Sequence, residues 1–286
     1  MILTILKTLA KKAGIRRFWQ GKLNYFQKTF QQPRWGYEKP SHPLLYDIID
    51  KGRDRYIQTL TDTLTHKEQY LKISAKQDGD YEPFFETPWL PPLDSFSLYA
   101  FVAHYKPATY IEIGSGNSTK FTRRSIIDNN LSTRIISIDP QPRAEIDQLC
   151  DEAIRKPAES VDLEIFDQLN ENDILFIDNS HRCFMNSDVT TVFIDIIPRL
   201  KPGVIVEIHD IFLPNDYPPQ WGKRYYSEQY LLAAYLLAQG DKFEILLPNA
   251  FISGDTKLHE ILNPVYSDPR WPDIGFGGGS FWLRMN

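Results

Sequence analysis

The sequence predicts an α/β fold with a mostly parallel, doubly wound sheet, and three observations support this prediction. Apolar runs of strand length alternate with helical stretches from Thr109 onward. Many of these runs are continuously apolar, as expected for strands that helices cover on both faces. The stretch "YIEIGSGNSTKF", residues 110–121, combines a strand, a tight turn with two glycines and the start of a helix.

Segments of the last two thirds of the chain carry the apolar, β-branched pattern of strands. We expect strands at residues 110–113, 134–138, 153–156, 173–177, 204–208, 243–247 and 280–283. A helix over residues 95–105 is expected before the first strand. Ligands of such sheets bind beyond the carboxyl ends of the strands, so the residues that follow each strand are the candidates for function.

The first 94 residues have a different pattern. Residues 46–73 show the spacing of a long amphipathic helix. Four prolines in "DGDYEPFFETPWLPPLDSF" then break helical structure repeatedly. We therefore divide the chain into a helical N-terminal extension with a linker, residues 1–94, and a domain of catalytic size, residues 95–286.

Composition limits the classes of function. The 286 residues are 42% hydrophobic, enough to bury a full core, and the net charge is −5. Residues 1–35 hold eight Lys and Arg and no Asp or Glu, so the rest of the chain is strongly acidic. An acidic body argues against a general nucleic-acid binder. Cys150 and Cys183 show no CxxC spacing, so we expect a reducing compartment, the cytoplasm.

The basic N-terminal stretch reads "MILTILKTLAKKAGIRRFW". Lys7 interrupts its apolar run and no small-residue cleavage site follows, so we expect neither a signal peptide nor a membrane span. Its apolar residues recur at helical spacing, with lysines between them. Such a helix can rest on an anionic membrane surface, which would give peripheral membrane contact. A terminal helix that packs on the body with a solvated basic face is the favoured alternative.

The glycine turn and the acid after the second strand are the first candidate ligand site. Gly114 and Gly116 let backbone amides approach a ligand closely, and Ser115 and Ser118 are candidates to cap the next helix. Asp139 stands at the end of the second strand, where an acid can hydrogen-bond the ribose hydroxyls of an adenosine ligand. A glycine pair without a ligand, and an aspartate that closes a turn before proline, are the structural alternatives.

A carboxylate inside the first apolar strand is the decisive additional feature. Burial of an unpaired charge is costly, so Glu112 needs donors from the turn or a ligand ammonium. As a dinucleotide fingerprint the turn is imperfect, because Thr119 stands where a third Gly or Ala is needed.

The motifs "EIGSG" and "IDP" resemble those of class I S-adenosylmethionine-dependent methyltransferases. The segments "NDILFIDNSHR" and "PRLKPGVIVEIHDIFLP" extend the resemblance to residues 95–285. Within the class, the chain most specifically resembles bacterial methyltransferase family 24. The resemblance implies a Rossmann-like sheet of seven strands whose last strand is antiparallel, with S-adenosylmethionine across the first four strand ends. The implied cofactor contacts are Glu112, Gly114, Ser115, Gly116, Ser118, Asp139 on the ribose, Glu159 or Ser160 near the adenine, and Asp178.

Two histidine and acid combinations follow adjacent strands, His181 with Asp178 and His209 with Asp210. Methyl transfer needs a positioned acceptor and, for a hydroxyl, a base, a role that suits histidine. We favour His209 as the base with Asp210 orienting it, and His181 is the third catalytic candidate. A divalent cation at Asp178, His209 and Asp210 is a second interpretation, although we assign no metal ligands. Purely structural roles are the third.

We therefore expect a methyltransferase that acts on a small-molecule acceptor, through O-methylation of a sugar or natural-product hydroxyl. The loop after the fifth strand would wall the acceptor with Tyr217, Trp221, Tyr225 and Tyr226. An NAD(P)-dependent oxidoreductase is one alternative, disfavoured by Thr119. A non-catalytic cofactor-binding or membrane-associated scaffold is the other.

Overall fold

The computed structural model of this protein describes residues 32–238 and 242–286. The basic helix expected in the first 19 residues lies outside the described residues and stays a prediction. Of the helices that are described, none combines the length and the apolar character needed to cross a membrane.

A seven-stranded sheet forms the centre of the molecule. Its strands are β1 Thr109–Ile113, β2 Arg134–Ile138, β3 Glu152–Ile154, β4 Ile174–Ile177, β5 Ile205–Ile208, β6 Phe243–Pro248 and β7 Phe281–Met285. They lie in the order β3-β2-β1-β4-β5-β7-β6. Strands β1 to β5 pair in parallel, and β7 runs antiparallel to both of its neighbours. The predicted fold, a mostly parallel Rossmann-like sheet with an antiparallel last strand, is confirmed.

Helices flank the sheet and precede it. They are α1 Pro43–Asp50, α2 Arg53–Thr63, α3 Lys67–Tyr70, α4 Pro92–Tyr105, α5 Asn117–Asp128, α6 Asp188–Thr191, α7 Glu228–Leu237, α8 Asn249–Gly254, α9 Thr256–Glu260 and α10 Asn263–Tyr266. Short 3-10 turns occupy Leu64–His66, Asp147–Leu149, Ala158–Ser160, Leu163–Gln168, Ile197–Arg199 and Pro219–Trp221. A π-helical turn, Val192–Ile196, follows α6.

Two local expectations differ from the structure. The amphipathic stretch 46–73 is divided among α1, α2 and α3 rather than forming one helix. Gly52 interrupts it, and the hydroxyl of Tyr56 donates to the carbonyl of Ile49 across the break at 2.7 Å. Strand β3 ends at Ile154 instead of extending to residue 156. It is a partly exposed edge strand, so it lacks the continuous apolar run that marks the central strands.

The described N-terminal helices share one hydrophobic core with the sheet. Leu45, Ile49 and Leu60 are buried in it. The ring of Tyr70 lies 5.0 Å from the ring of Phe96 in α4. Since α4 begins at Pro92, it runs across the division we place at residue 94, which stays a prediction.

Parallel strands bring their carboxyl ends to one edge of the sheet. The glycine turn follows β1, Asp139 follows β2, the segment 178–181 follows β4, and the segment 209–210 follows β5. The topology therefore gathers the predicted site residues at one edge.

Candidate active site

The glycine turn after β1 is dictated by a close contact with the end of β4. Gly114 has φ +83°, in the left-handed region that disfavours other residues. A Cβ on Gly114 would stand 1.8 Å from the carbonyl oxygen of Asp178. A Cβ on Gly116 would meet nothing closer than Cβ of Arg143 at 3.8 Å. Packing within the protein therefore requires glycine at position 114. At position 116 a side chain would fit within the protein, and the glycine leaves open space in the cleft.

The buried carboxylate of Glu112 finds its donors in the turn itself. It accepts hydrogen bonds from the hydroxyls of Tyr110 at 3.4 Å, Ser118 at 3.1 Å and Thr119. Thr119 also accepts from the backbone N–H of Gly116 at 3.2 Å. Burial raises the pKa of Glu112 to about 7, and the hydroxyl donors oppose this rise. Thr119, the departure from the dinucleotide pattern, thus ties the turn to β1.

The predicted capping of α5 by the two serines of the turn is wrong. Gly116 is the N-cap, and the side chain that bonds to its backbone N–H is that of Thr119 rather than of either serine. The hydroxyl of Ser115 pairs with that of Ser137 at 2.6 Å, and the hydroxyl of Ser118 donates to Glu112. The hydroxyls of both serines thus bond to residues of β1 and β2 instead of to the N-terminus of α5.

Asp139 both closes a turn and faces the cleft. One carboxylate oxygen accepts from the N–H of Ser115 at 2.8 Å, and the other accepts from the N–H of Gln141 at 2.7 Å. The side chain is half-buried and lines the cavity described next. Because each carboxylate oxygen can accept a further hydrogen bond, the turn role leaves ribose binding open.

A cavity of about 260 Å³ lies beyond the ends of β1, β2 and β4. It is lined by Gly114, Ser115, Asp139, Arg143, Glu159 and Asp178. A smaller cavity of about 30 Å³ adjoins it and is lined by Gly116 and Ser118 together with Trp89, Leu90 and Asn117. Ser115, Arg143 and Asp178 line both. Every predicted cofactor contact except Glu112 and Ser160 lines one of them, so these residues fit the expected cofactor.

Arg143 and Trp89 were not predicted. The Arg143 guanidinium lies 4.9 Å from the centroid of the Trp89 ring and 3.6 Å from the carboxylate of Asp178. Both side chains are about half-exposed. Trp89 lies in the proline-rich linker, so only the fold places it at this cavity.

His181 is enclosed between two carboxylates. Its Nδ1 lies 2.9 Å from Glu228, the first residue of α7, and its Nε2 lies 3.1 Å from Asp178. Asn179 donates to the same Glu228 at 3.1 Å. Burial opposes the charge on the ring, but Asp178 and Glu228 outweigh it and raise the pKa of His181 to about 10. His181 is therefore an imidazolium at neutral pH.

His209 is enclosed by three carboxylates. Its Nε2 lies 3.3 Å from Asp94, and its Nδ1 lies 3.6 Å from both Asp178 and Asp210. Burial alone would lower its pKa, but Asp210, Asp178 and Asp94 raise the pKa of His209 well above its usual value. Sequence reasoning missed Asp94 and Glu228, since both are far along the chain and nothing local marks them.

The two acids that follow β4 and β5 have opposite pKa shifts. Burial tends to raise the pKa of both. For Asp178 the hydrogen bonds and charges of His181 and His209 outweigh burial, and its pKa lies well below the usual range. For Asp210 burial dominates, and its pKa is raised. Within residues 32–238 and 242–286, no cluster of three or more His, Cys, Asp or Glu has an arrangement that could hold a metal ion.

The four aromatic residues predicted to wall the acceptor do line one cavity, of about 680 Å³. Tyr226 connects this cavity to the acidic cluster, by which we mean Asp94, Asp178, Asp210 and Glu228 around the two histidines. Its ring lies 4.6 Å from the ring of His181. The charge of Asp210 also acts on the hydroxyl of Tyr217. The cavity thus begins next to the residues that follow β4 and β5.

The chain was compared with known families, curated proteins and solved structures. Residues 111–211 match a family model described as a methyltransferase domain. A search among curated proteins found no match. Among solved structures, the chain is similar to the SAH-bound methyltransferase PaMTH1 of Podospora anserina, at 15% identity and TM-score 0.42, over 88% of this chain and 100% of that one. It is also similar to the plantazolicin methyltransferase BpumL in complex with SAH, at 13% identity and TM-score 0.41, over 93% and 98%.

Overall similarity to those structures is low, so the assignment stands on the family match and on the sheet. The family match spans β1 to the end of β5, which includes the glycine turn, Asp139 and both histidines. Together with a seven-stranded sheet whose last strand is antiparallel, the match over residues 111–211 supports the predicted class I S-adenosylmethionine-dependent methyltransferase domain.

Proposed function

We propose that this enzyme methylates a hydroxyl group of a small-molecule acceptor, on a sugar or a natural-product scaffold. The observation that carries the proposal is the pair Asp178 and Asp210, whose environments shift their pKa values in opposite directions. Two acids with separated pKa values can take different roles in one site. Hydroxyl methylation needs a base, because a proton has to leave the acceptor oxygen.

When bound, S-adenosylmethionine supplies an electrophilic methyl group on a positively charged sulfur. Gly114, Ser115, Gly116, Ser118 and Glu159 would hold it along the two cavities, with Asp139 on the ribose and Glu112 shaping the turn. Asp178 lines both cavities and stays ionised, so its charge favours a cationic group there.

We propose Asp210 as the group that accepts the proton, with His209 and His181 as its charged partners. The sequence favoured His209 as the base. Both of its ring nitrogens lie within 3.6 Å of carboxylates, whose charges raise the pKa of His209 well above its usual value, so the ring is a poor proton acceptor. A carboxylate with a raised pKa is a better base than an ordinary one, and the two imidazolium rings balance its charge once it has ionised.

The aromatic cavity supports an acceptor of some size with apolar faces. Its walls are the rings of Tyr217, Trp221, Tyr225 and Tyr226, and aromatic rings pack well against the faces of sugars and planar scaffolds. We propose that the body of the acceptor lies along these rings and that its hydroxyl reaches Asp210.

The first experiment is calorimetric titration of the full chain with S-adenosylhomocysteine, in magnesium and again with chelator. Micromolar binding in both buffers is expected, and dependence on magnesium would instead support a cation at the acidic cluster. Absence of binding, with NAD bound in its place, would overturn the cofactor assignment.

The second experiment measures transfer of a labelled methyl group to a panel of sugars and hydroxylated aromatics. Asp210→Asn should reduce transfer by about a hundredfold or more while leaving S-adenosylhomocysteine affinity unchanged. Asp255→Asn is the matched control, since Asp255 caps α9 and pairs with Arg53 away from the cluster. Unchanged transfer in Asp210→Asn would support a non-catalytic scaffold instead.

We further propose a cytoplasmic enzyme in which residues 95–286 form the catalytic domain and residues 1–94 its helical extension. Cys150 and Cys183 are free thiols, which suits a reducing compartment.

A further inference from the structure

Asp94 is a fully buried acid held by backbone amides from the opposite end of the chain. The N–H groups of Gly279 and Ser280, just before β7, donate to its carboxylate at 2.7 and 2.8 Å. The side-chain amide of Asn249 donates to it at 2.8 Å. Successive backbone N–H groups that converge on one point form an anion-binding concavity, and here the anion is a side chain of the protein itself.

The glycine-rich segment "GFGGGSFW" is explained by this arrangement. A Cβ on Gly278 would stand 2.2 Å from Oδ1 of Asp94. Gly279 donates to both carboxylate oxygens, at 2.9 and 2.7 Å. The small residues before β7 thus let the backbone close around the carboxylate of Asp94.

The two oxygens of Asp94 have different neighbours. Oδ1 accepts from the N–H groups of Gly279 and Ser280 and from the side-chain amide of Asn249. Oδ2 accepts from the N–H of Gly279 and also lies 3.3 Å from Nε2 of His209. The far side of the same ring faces Asp178 and Asp210, each 3.6 Å from Nδ1. Glu207 is a further acid on this face of β5, and burial raises its pKa well above the usual value.

We propose that Asp94 is a positioning residue that fixes the orientation of the His209 ring against Asp210. Its carboxylate cannot rotate, because the amides of two segments hold it. One ring nitrogen of His209 lies 3.3 Å from Asp94, and the other lies 3.6 Å from both Asp178 and the acid that we propose as the base. The inference rests on the proposed role of Asp210. It concerns a different residue, Asp94, which lies outside the family match and on the opposite side of the His209 ring from Asp210.

The test compares Asp94→Asn with Ser97→Ala in the full chain. Ser97 belongs to the same buried network, since its hydroxyl accepts from Asn249 at 2.9 Å and from the indole of Trp282 at 3.1 Å. Both variants should lower the melting temperature. Only Asp94→Asn should reduce kcat, by at least tenfold, with KM for the acceptor and S-adenosylhomocysteine affinity within threefold of the parent.

A spectroscopic measurement adds a test that does not depend on activity. Its first part uses the unmodified protein, so it does not depend on the folding of the variant either. Nitrogen-15 NMR of the imidazole groups should show a proton on Nε2 of His209, and Asp94→Asn should shift that signal. Nε2 without a proton, or equal kcat in both variants, would overturn the proposal and leave Asp94 a purely structural anion. Absence of methyl transfer with a protonated Nε2 would instead count against the proposed function alone.

Discussion

Replacing the two glycines of the turn one at a time separates the packing of the fold from the binding of the cofactor. In Gly114→Ala the new Cβ would stand 1.8 Å from the carbonyl oxygen of Asp178, far inside any permitted contact. In Gly116→Ala the nearest atom is 3.8 Å away, an ordinary contact, and the φ of 167° is extended. The two substitutions add the same methyl group two residues apart.

The expected magnitudes follow from these contacts. For Gly114, a left-handed backbone with a side chain costs about 1–2 kcal/mol. Separating the ends of β1 and β4 also loses the hydrogen bond from the N–H of Asp178 to the carbonyl of Ile113, 2.8 Å, worth about 1 kcal/mol. With the steric overlap, Gly114→Ala should lose about 3 kcal/mol or more. Gly116→Ala should change stability by at most about 1 kcal/mol.

Urea unfolding and calorimetric binding measure both effects. Gly116→Ala should keep its unfolding midpoint but bind S-adenosylhomocysteine at least about tenfold more weakly, a change of about 1.4 kcal/mol. The reasoning is refuted if Gly116→Ala binds with the affinity of the parent, because the cofactor would then not pass close to this turn. A loss of less than about 1 kcal/mol in Gly114→Ala would refute the close approach of β1 and β4.

Two further predictions concern the buried histidine and the aromatic cavity. Because the folded pKa of His181 is about 10, above its ordinary 6.5, the stability it contributes is complete below about pH 6.5 and is lost as pH rises to about 10. Urea unfolding should therefore show stability falling by a few kcal/mol over that range, and falling less in Glu228→Gln; equal slopes would contradict the pairing. Trp221→Ala should raise KM for the acceptor several-fold without changing S-adenosylhomocysteine affinity, and an unchanged KM would place the acceptor elsewhere.

The fold could be predicted from the sequence because its central strands are marked by their own residues. The runs at β1, β4 and β5 are mainly apolar, as burial on both faces requires, and the buried carboxyl groups Glu112 in β1 and Glu207 in β5 are the exceptions. The edge strand β3 was placed only approximately, since half-exposed residues carry no such pattern. Gly52 shows the same limit within a helical pattern, because the spacing of apolar residues continues across the break.

A site residue could be predicted from the sequence only where it lies in the same segment as the strand that positions it. Gly114 and Asp139 stand next to the strands that position them. Asp94, Glu228 and Trp89 do not, because each reaches the site from a helix or loop distant along the chain. Their assignment depends on tertiary contacts that no local pattern records.

The balance of charge also explains why the two histidines differ from their expected role. A histidine at a strand end is a natural candidate for a base only if one ring nitrogen is free to accept a proton. Here His181 lies between Asp178 and Glu228, and His209 lies between Asp94 and the pair Asp178 and Asp210. A nearby positive charge stabilises an ionised buried carboxylate, and each ring supplies such a charge when it keeps its proton. Of the four acids around the two rings, Asp210 is the one that combines partial exposure with a raised pKa, which is why we propose it, rather than either histidine, as the proton acceptor.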